Sequence, residues 1–88
     1  MSEEAQARET ASEERLSVIC SLWAEVLGLD TVPYDTNFFE VGGDSLLLVA
    51  LVERIRQSTG LAVRTIDVVR AGTVRRQVDL LAGLGAKM

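Results

Sequence analysis

The apolar positions of the chain fall into helical stretches divided by irregular segments. Leu16, Ile19, Cys20, Trp23, Val26 and Leu27 recur at i, i+3, i+4, i+7, i+10 and i+11, which is one face of an amphipathic helix. Thr10 followed by Glu13 has the capping-box spacing, so this first helix is predicted to begin near residue 11, and Gly28 to close it. Residues 28–44 have no sustained period; Leu29, Val32, Tyr34, Phe38 and Phe39 are scattered among Asp30, Pro33, Asp35 and Asn37. A loop this long in a small domain is usually functional. Its aromatics are read as plugs that pin it to the core.

A second helix is predicted from Ser45 to Ser58 or Thr59, ended by Gly60. Leu48, Leu51, Val52 and Ile55 supply its core stripe. Leu61 to Val63 reads as an extended linker. Thr65 is placed as the cap of a short helix over Ile66–Arg70 stopped at Gly72, and Thr73 as the cap of a last helix with Val74, Val78 and Leu81 inward. The expected architecture is all-α: a small four-helix bundle, three main helices and one short, with a long loop between the first two. The folded domain is expected over residues 12–83, with a flexible acidic tail at 1–11 and a flexible end at 84–88.

The second helix carries more apolar residues than a core face needs. Leu46, Val49 and Ala50 form another stripe on a neighbouring face. Either this helix is buried more deeply than usual, or the surplus is an exposed patch for a partner.

Composition narrows the chemistry. The 88 residues contain no histidine and one cysteine. That excludes His-based metal sites, Ser-His triads, Cys-His dyads and an internal disulfide framework. Cys20 lies on the buried stripe and reads as a packed thiol. The net charge is −4, with four acids and no base over residues 28–44. An acidic chain is a poor ligand for nucleic acid. The N-terminus lacks the basic-then-apolar order of a secretory signal, and the longest apolar run, Leu46 to Val52, is too short to span a membrane, so a cytoplasmic, monomeric protein is expected. Arg75 and Arg76 read as a solvated helix face.

The chemistry concentrates at Val41-Gly42-Gly43-Asp44-Ser45-Leu46. Taken alone, this is an ordinary helix entry, with glycines for the turn and Asp or Ser as the cap. Ser45 as a hydrolytic nucleophile would need a base. There is no histidine, and the sole lysine, Lys87, lies at the far end. The Gly-x-Ser-x-Gly elbow fails because Leu47 holds the last glycine's place. No Gly-Lys-Ser/Thr follows, so no phosphate loop is present. The third option is a tether: a phosphate ester at a helix start meets unpaired backbone N–H groups and the positive end of the helix dipole. Gly42 and Gly43 would then remove bulk from the path of a modifying enzyme.

The run Asn37-Phe38-Phe39-Glu40-Val41-Gly42-Gly43-Asp44-Ser45-Leu46 closely resembles the attachment motif of carrier proteins bearing 4′-phosphopantetheine. Its Gly-Gly-Asp-Ser-Leu form is most similar to the peptidyl carrier proteins of nonribosomal peptide synthesis. The likeness extends over residues 12–83. It implies that Ser45 accepts phosphopantetheine from coenzyme A through a Mg²⁺-dependent phosphopantetheinyl transferase, with Gly43 and Asp44 defining the motif. The arm's thiol would hold an aminoacyl or related acyl group as a thioester. An adenylation enzyme would load it, and condensation, tailoring or thioesterase enzymes would receive it. Leu46, Val49, Ala50, Ile66 and Val69 would be the partner contacts. The chain itself would be a carrier, not an enzyme, and a free-standing one. An acyl carrier of a polyketide or lipid pathway is the alternative within this chemistry, and a helical interaction module whose Ser45 only caps a helix is the alternative outside it. Against the lipid type, the second helix has Glu53 beside Arg54 and Arg56, where carriers of fatty acid synthesis are strongly acidic.

Overall fold

A computed structural model describes the backbone over residues 2–86 and side-chain surroundings over residues 13–84. The described chain forms α1 (Ser2–Leu27), α2 (Ser45–Thr59), α3 (Thr65–Ala71) and α4 (Val74–Ala86), with no strand among the described residues. Helix α1 packs on α2 and α4, and the short α3 closes the bundle by bridging α2 to α4.

The predicted core positions lie inward. Ile19 and Trp23 of α1, Leu48, Leu51, Val52 and Ile55 of α2, Val68 of α3, and Val74, Val78 and Leu81 of α4 are all buried in one cluster. Val63 joins them from the linker after α2, and Leu22, adjacent to the expected stripe on α1, is also buried. The linker is held by Arg56, whose Nε donates to the Val63 carbonyl at 2.7 Å. Gly28 and Gly60 close α1 and α2 with φ of 70° and 71°, the left-handed conformation that suits a glycine stop. Thr73 caps α4, its hydroxyl accepting from the Arg76 N–H at 3.2 Å.

Helix boundaries differ from expectation at three places. Helix α1 begins at Ser2 instead of near residue 11, so Thr10 and Glu13 lie inside it and form no start. Residues 2–11 hold Glu, Ala, Gln and Arg without Gly or Pro. Such residues extend an existing helix at little cost once the packed segment has nucleated it. Helix α4 likewise continues through Gly83 to Ala86, into the expected C-terminal tail. Met1, Lys87 and Met88, the remaining parts of the two expected tails, lie outside the described residues. Third, α3 starts at Thr65 itself. Its cap position is Arg64, which makes no side-chain capping bond and instead pairs with Asp67, Nε to Oδ2 at 3.1 Å.

Among the described residues, one polar side chain is buried in this core. Gln77 of α4 accepts a hydrogen bond from Trp23 Nε1 at 2.8 Å and donates from Nε2 to the Val68 carbonyl at 3.3 Å. It thereby satisfies the indole of α1 and ties α4 to both α1 and α3. A buried amide costs little when its hydrogen bonds are made and much when one is lost.

Candidate functional site

The site begins at the loop that delivers α2. Phe38 is its anchor: buried, with its ring edge-on to Trp23 at 5.0 Å between centroids. Its N–H donates to the Gly72 carbonyl at 2.8 Å, which fixes the loop to the α3–α4 junction. Asn37 organises the turn that follows. Its Oδ1 accepts from the Phe39 N–H at 2.9 Å and its carbonyl accepts from Glu40 and Val41. Further back, Arg75 holds the loop from α4. Its Nε donates to Asp35 Oδ1 at 2.8 Å and its guanidinium lies over the Tyr34 ring at 5.6 Å. The Asp35 hydrogen bond raises the Arg75 pKa further above its ordinary value. Arg75 is therefore a loop clamp, beyond the solvated position expected for it; the signal was an acid and an aromatic paired at Tyr34-Asp35. Phe39 departs from its expected role as a core plug. It is 45% exposed, with its ring edge-on to Phe38 at 5.9 Å between centroids.

The two glycines act differently from each other. Gly42 has φ of 106° and open space where a Cβ would stand. Its role is the backbone turn, which an L side chain would strain. Gly43 has the Phe38 ring and, at 2.7 Å, the Phe38 carbonyl oxygen where its Cβ would stand, and its N–H donates to that carbonyl at 3.0 Å. Gly43 is thus small to admit Phe38 from the protein side. Clearing the path of an incoming enzyme, the role expected from sequence, applies at most to Gly42.

Asp44 then caps α2. Its backbone is extended, and Oδ1 accepts from the Leu47 N–H at 2.9 Å. Ser45, the first residue of the helix, is exposed. Among the described residues no acceptor meets the N–H of Ser45 or Leu46. The hydroxyl therefore stands beside unpaired donors at the positive end of a 15-residue helix. Those features suit a phosphodiester on Ser45: an accessible oxygen, donors for the phosphoryl oxygens and a favourable dipole.

Beside the serine lies the surplus stripe. Leu46 is 82% exposed and Val49 54%, Ala50 is half-buried, and on α3 Ile66 is 48% exposed while Val69 is half-buried. Of the five expected partner contacts, three are exposed and two half-buried. The deeper-burial reading of α2 is excluded, since its core face is complete without these residues. Among the described residues no group of His, Cys, Asp and Glu could hold a metal ion, and no helix is long and apolar enough to cross a membrane.

Comparison with known proteins agrees with this geometry. Residues 17–81 match the family model described as the phosphopantetheine attachment site. A dimodular nonribosomal peptide synthase of Bacillus subtilis (strain 168) is 49% identical over 55 residues, which are 62% of this chain and 2% of that protein. The chain thus spans only a small part of such relatives. A solved nonribosomal PCP domain is 39% identical, with a TM-score of 0.68 over 76% of this chain and 86% of that one. A type-II acyl carrier protein of Streptomyces verticillus, involved in bleomycin biosynthesis, shares the fold at a TM-score of 0.85 and 22% identity over 89% of this chain and 94% of that one. The chain belongs to the phosphopantetheine attachment family, whose members carry covalent 4′-phosphopantetheine, and is a carrier domain of the nonribosomal peptide synthetase type.

Proposed function

We propose that Ser45 is the residue that takes the phosphopantetheine arm, and that the loaded domain carries an aminoacyl or related acyl group between biosynthetic enzymes. The observation that carries this is an exposed hydroxyl at a capped helix start, flanked by apolar side chains that the core does not use. In the modification step the Ser45 oxygen bonds to the pantetheine-side phosphorus of coenzyme A. The pyrophosphate P–O bond breaks, adenosine 3′,5′-bisphosphate leaves, and the hydroxyl proton passes to a base of the transferase. The arm, when bound, supplies a thiol that holds cargo as a thioester. This chain's residues present the attachment oxygen, neutralise the ester at the helix start and offer Leu46, Val49, Ala50, Ile66 and Val69 for docking. A phosphopantetheinyl transferase, an adenylation enzyme, and condensation, tailoring or thioesterase enzymes are the corresponding partners, and the catalysis belongs to them. Cytoplasmic residence fits a supply of coenzyme A.

The test is intact mass after incubation with coenzyme A, Mg²⁺ and a broad-specificity phosphopantetheinyl transferase. One phosphopantetheine is expected on the wild type and none on Ser45→Ala. A gain that persists in Ser45→Ala overturns the assignment. Loading assays with adenylation enzymes then read the cargo.

A further inference from the structure

Gln77 stands alone as a buried polar side chain among the described residues, and its amide meets two helices that do not pack on each other, α1 and α3. The Trp23 indole of α1 needs an acceptor, which accounts for Oε1. The Val68 carbonyl of α3 has no matching need, because the Gly72 N–H already meets it at 3.0 Å. The bond from Gln77 Nε2 therefore rescues no stranded acceptor. It fixes where that carbonyl stands.

The element so held depends on a tie of this kind. Helix α3 has seven residues, too few to be stable alone, and Val68 is its one buried side chain. The loop that delivers Ser45 hangs from its far end. Gly72 accepts the Phe38 N–H on its carbonyl at 2.8 Å, and the Phe38 carbonyl accepts the Gly43 N–H at 3.0 Å. Asn37 lies against the same glycine, with Nδ2 2.7 Å from where a Gly72 Cβ would stand. Asp44 and Ser45 follow directly. Every link after the first joins backbone groups, so Gln77 is the side chain at which substitution cuts the route.

We infer that Gln77 is a positioning residue for the Ser45 hydroxyl: by holding the Val68 carbonyl it places α3, and through Gly72 and Phe38 it places the loop that opens α2. The inference rests on the attachment reading of Ser45. A packing role would show in stability alone, whereas a positioning role follows the Val68 bond even where stability does not change.

The experiment uses the full chain in a Trp23→Phe background, where the indole donor is gone and Gln77 keeps its bond to Val68. Trp23→Phe is compared with the double variant Trp23→Phe, Gln77→Met. The urea midpoints are expected to stay close, because the lost bond and the relieved Oε1 offset each other. Exchange of the Gly72, Phe38 and Gly43 amides, followed by NMR, is expected to quicken about tenfold, the equilibrium worth of one hydrogen bond, while buried amides of α1 and α2 hold. Single-turnover modification by a saturating broad-specificity phosphopantetheinyl transferase is expected to slow about fivefold, since a displaced hydroxyl slows the bound complex. The transferase concentration at half-saturation should stay within about twofold, because a positioning role acts after binding. If Trp23→Phe does not fold, Gln77→Glu in the otherwise unchanged chain at pH 8 makes the same cut, since a carboxylate accepts from Trp23 but cannot donate to Val68. Exchange that quickens evenly through α1 and α2 overturns the inference, as does an unchanged single-turnover rate. A shift in half-saturation alone also overturns it, because Gln77 would then act on docking. Ser45→Ala runs beside these variants. If it is still modified, the attachment reading has failed and the role in the reaction falls with it; if it is not, a failure above belongs to Gln77 alone.

Discussion

Leu48 and Val49 are neighbours on α2, both aliphatic, and the structure treats them oppositely. Leu48 is 5% exposed and Val49 is 54% exposed. The same contrast runs the length of the helix: Leu51, Val52 and Ile55 close the core while Leu46 stands in solvent. Hydrophobicity does not separate the two sets. Phase does, because 100° per residue carries one row toward α1 and the other toward nothing in this chain. The lesson is that an apolar residue becomes evidence of function only once the core is shown to be complete without it.

That contrast can be tested from its strongest side. Leu51→Ala empties a fully buried position and is expected to lower unfolding free energy by about 3 kcal/mol in a urea titration. Gln77→Leu strands the Trp23 N–H in the core, with an expected loss of about 2 kcal/mol. Adding Trp23→Phe should recover part of it, since the orphaned donor is then gone; no recovery would mean that packing sets the cost. Asp44→Ala removes the cap that starts both faces, and about 1 kcal/mol is expected. Val49→Asp is the smallest in stability, within about 0.5 kcal/mol by thermal or urea unfolding. It should nevertheless slow transfer by the partner enzymes. If Val49→Asp destabilises as much as Leu51→Ala, the two faces are equivalent and the docking face does not exist.

The inner stripe of α2 was legible because four residues at i, i+3, i+4 and i+7 leave one solution for a helix, and Gly60 marks its end. The capped helix entry at residues 42–45 was legible because cap, glycines and serine are contiguous. Phe38 and Phe39 were not separable, since a loop has no period to assign adjacent aromatics to inside or outside. Gln77 was hidden for a related reason. A polar residue beside Val78 reads as surface until its partner, Trp23, is found 54 positions away. Gly43 was legible as a glycine and misread in purpose, because the ring that requires it arrives by tertiary packing. The start of α1 failed because a capping-box spacing inside a run of good helix formers is no barrier to the helix passing through it.

The contact between Gly43 and Phe38 also sets the size of the portable unit. Residues 42–46 grafted onto the start of another helix would bring the serine and its cap but leave behind the ring that sets the entry angle. Phe38 in turn needs the Gly72 carbonyl and the edge of Trp23. A recipient scaffold would have to supply a carbonyl and an aromatic wall at matching places, or accept a tag recognised by its letters and not by its shape.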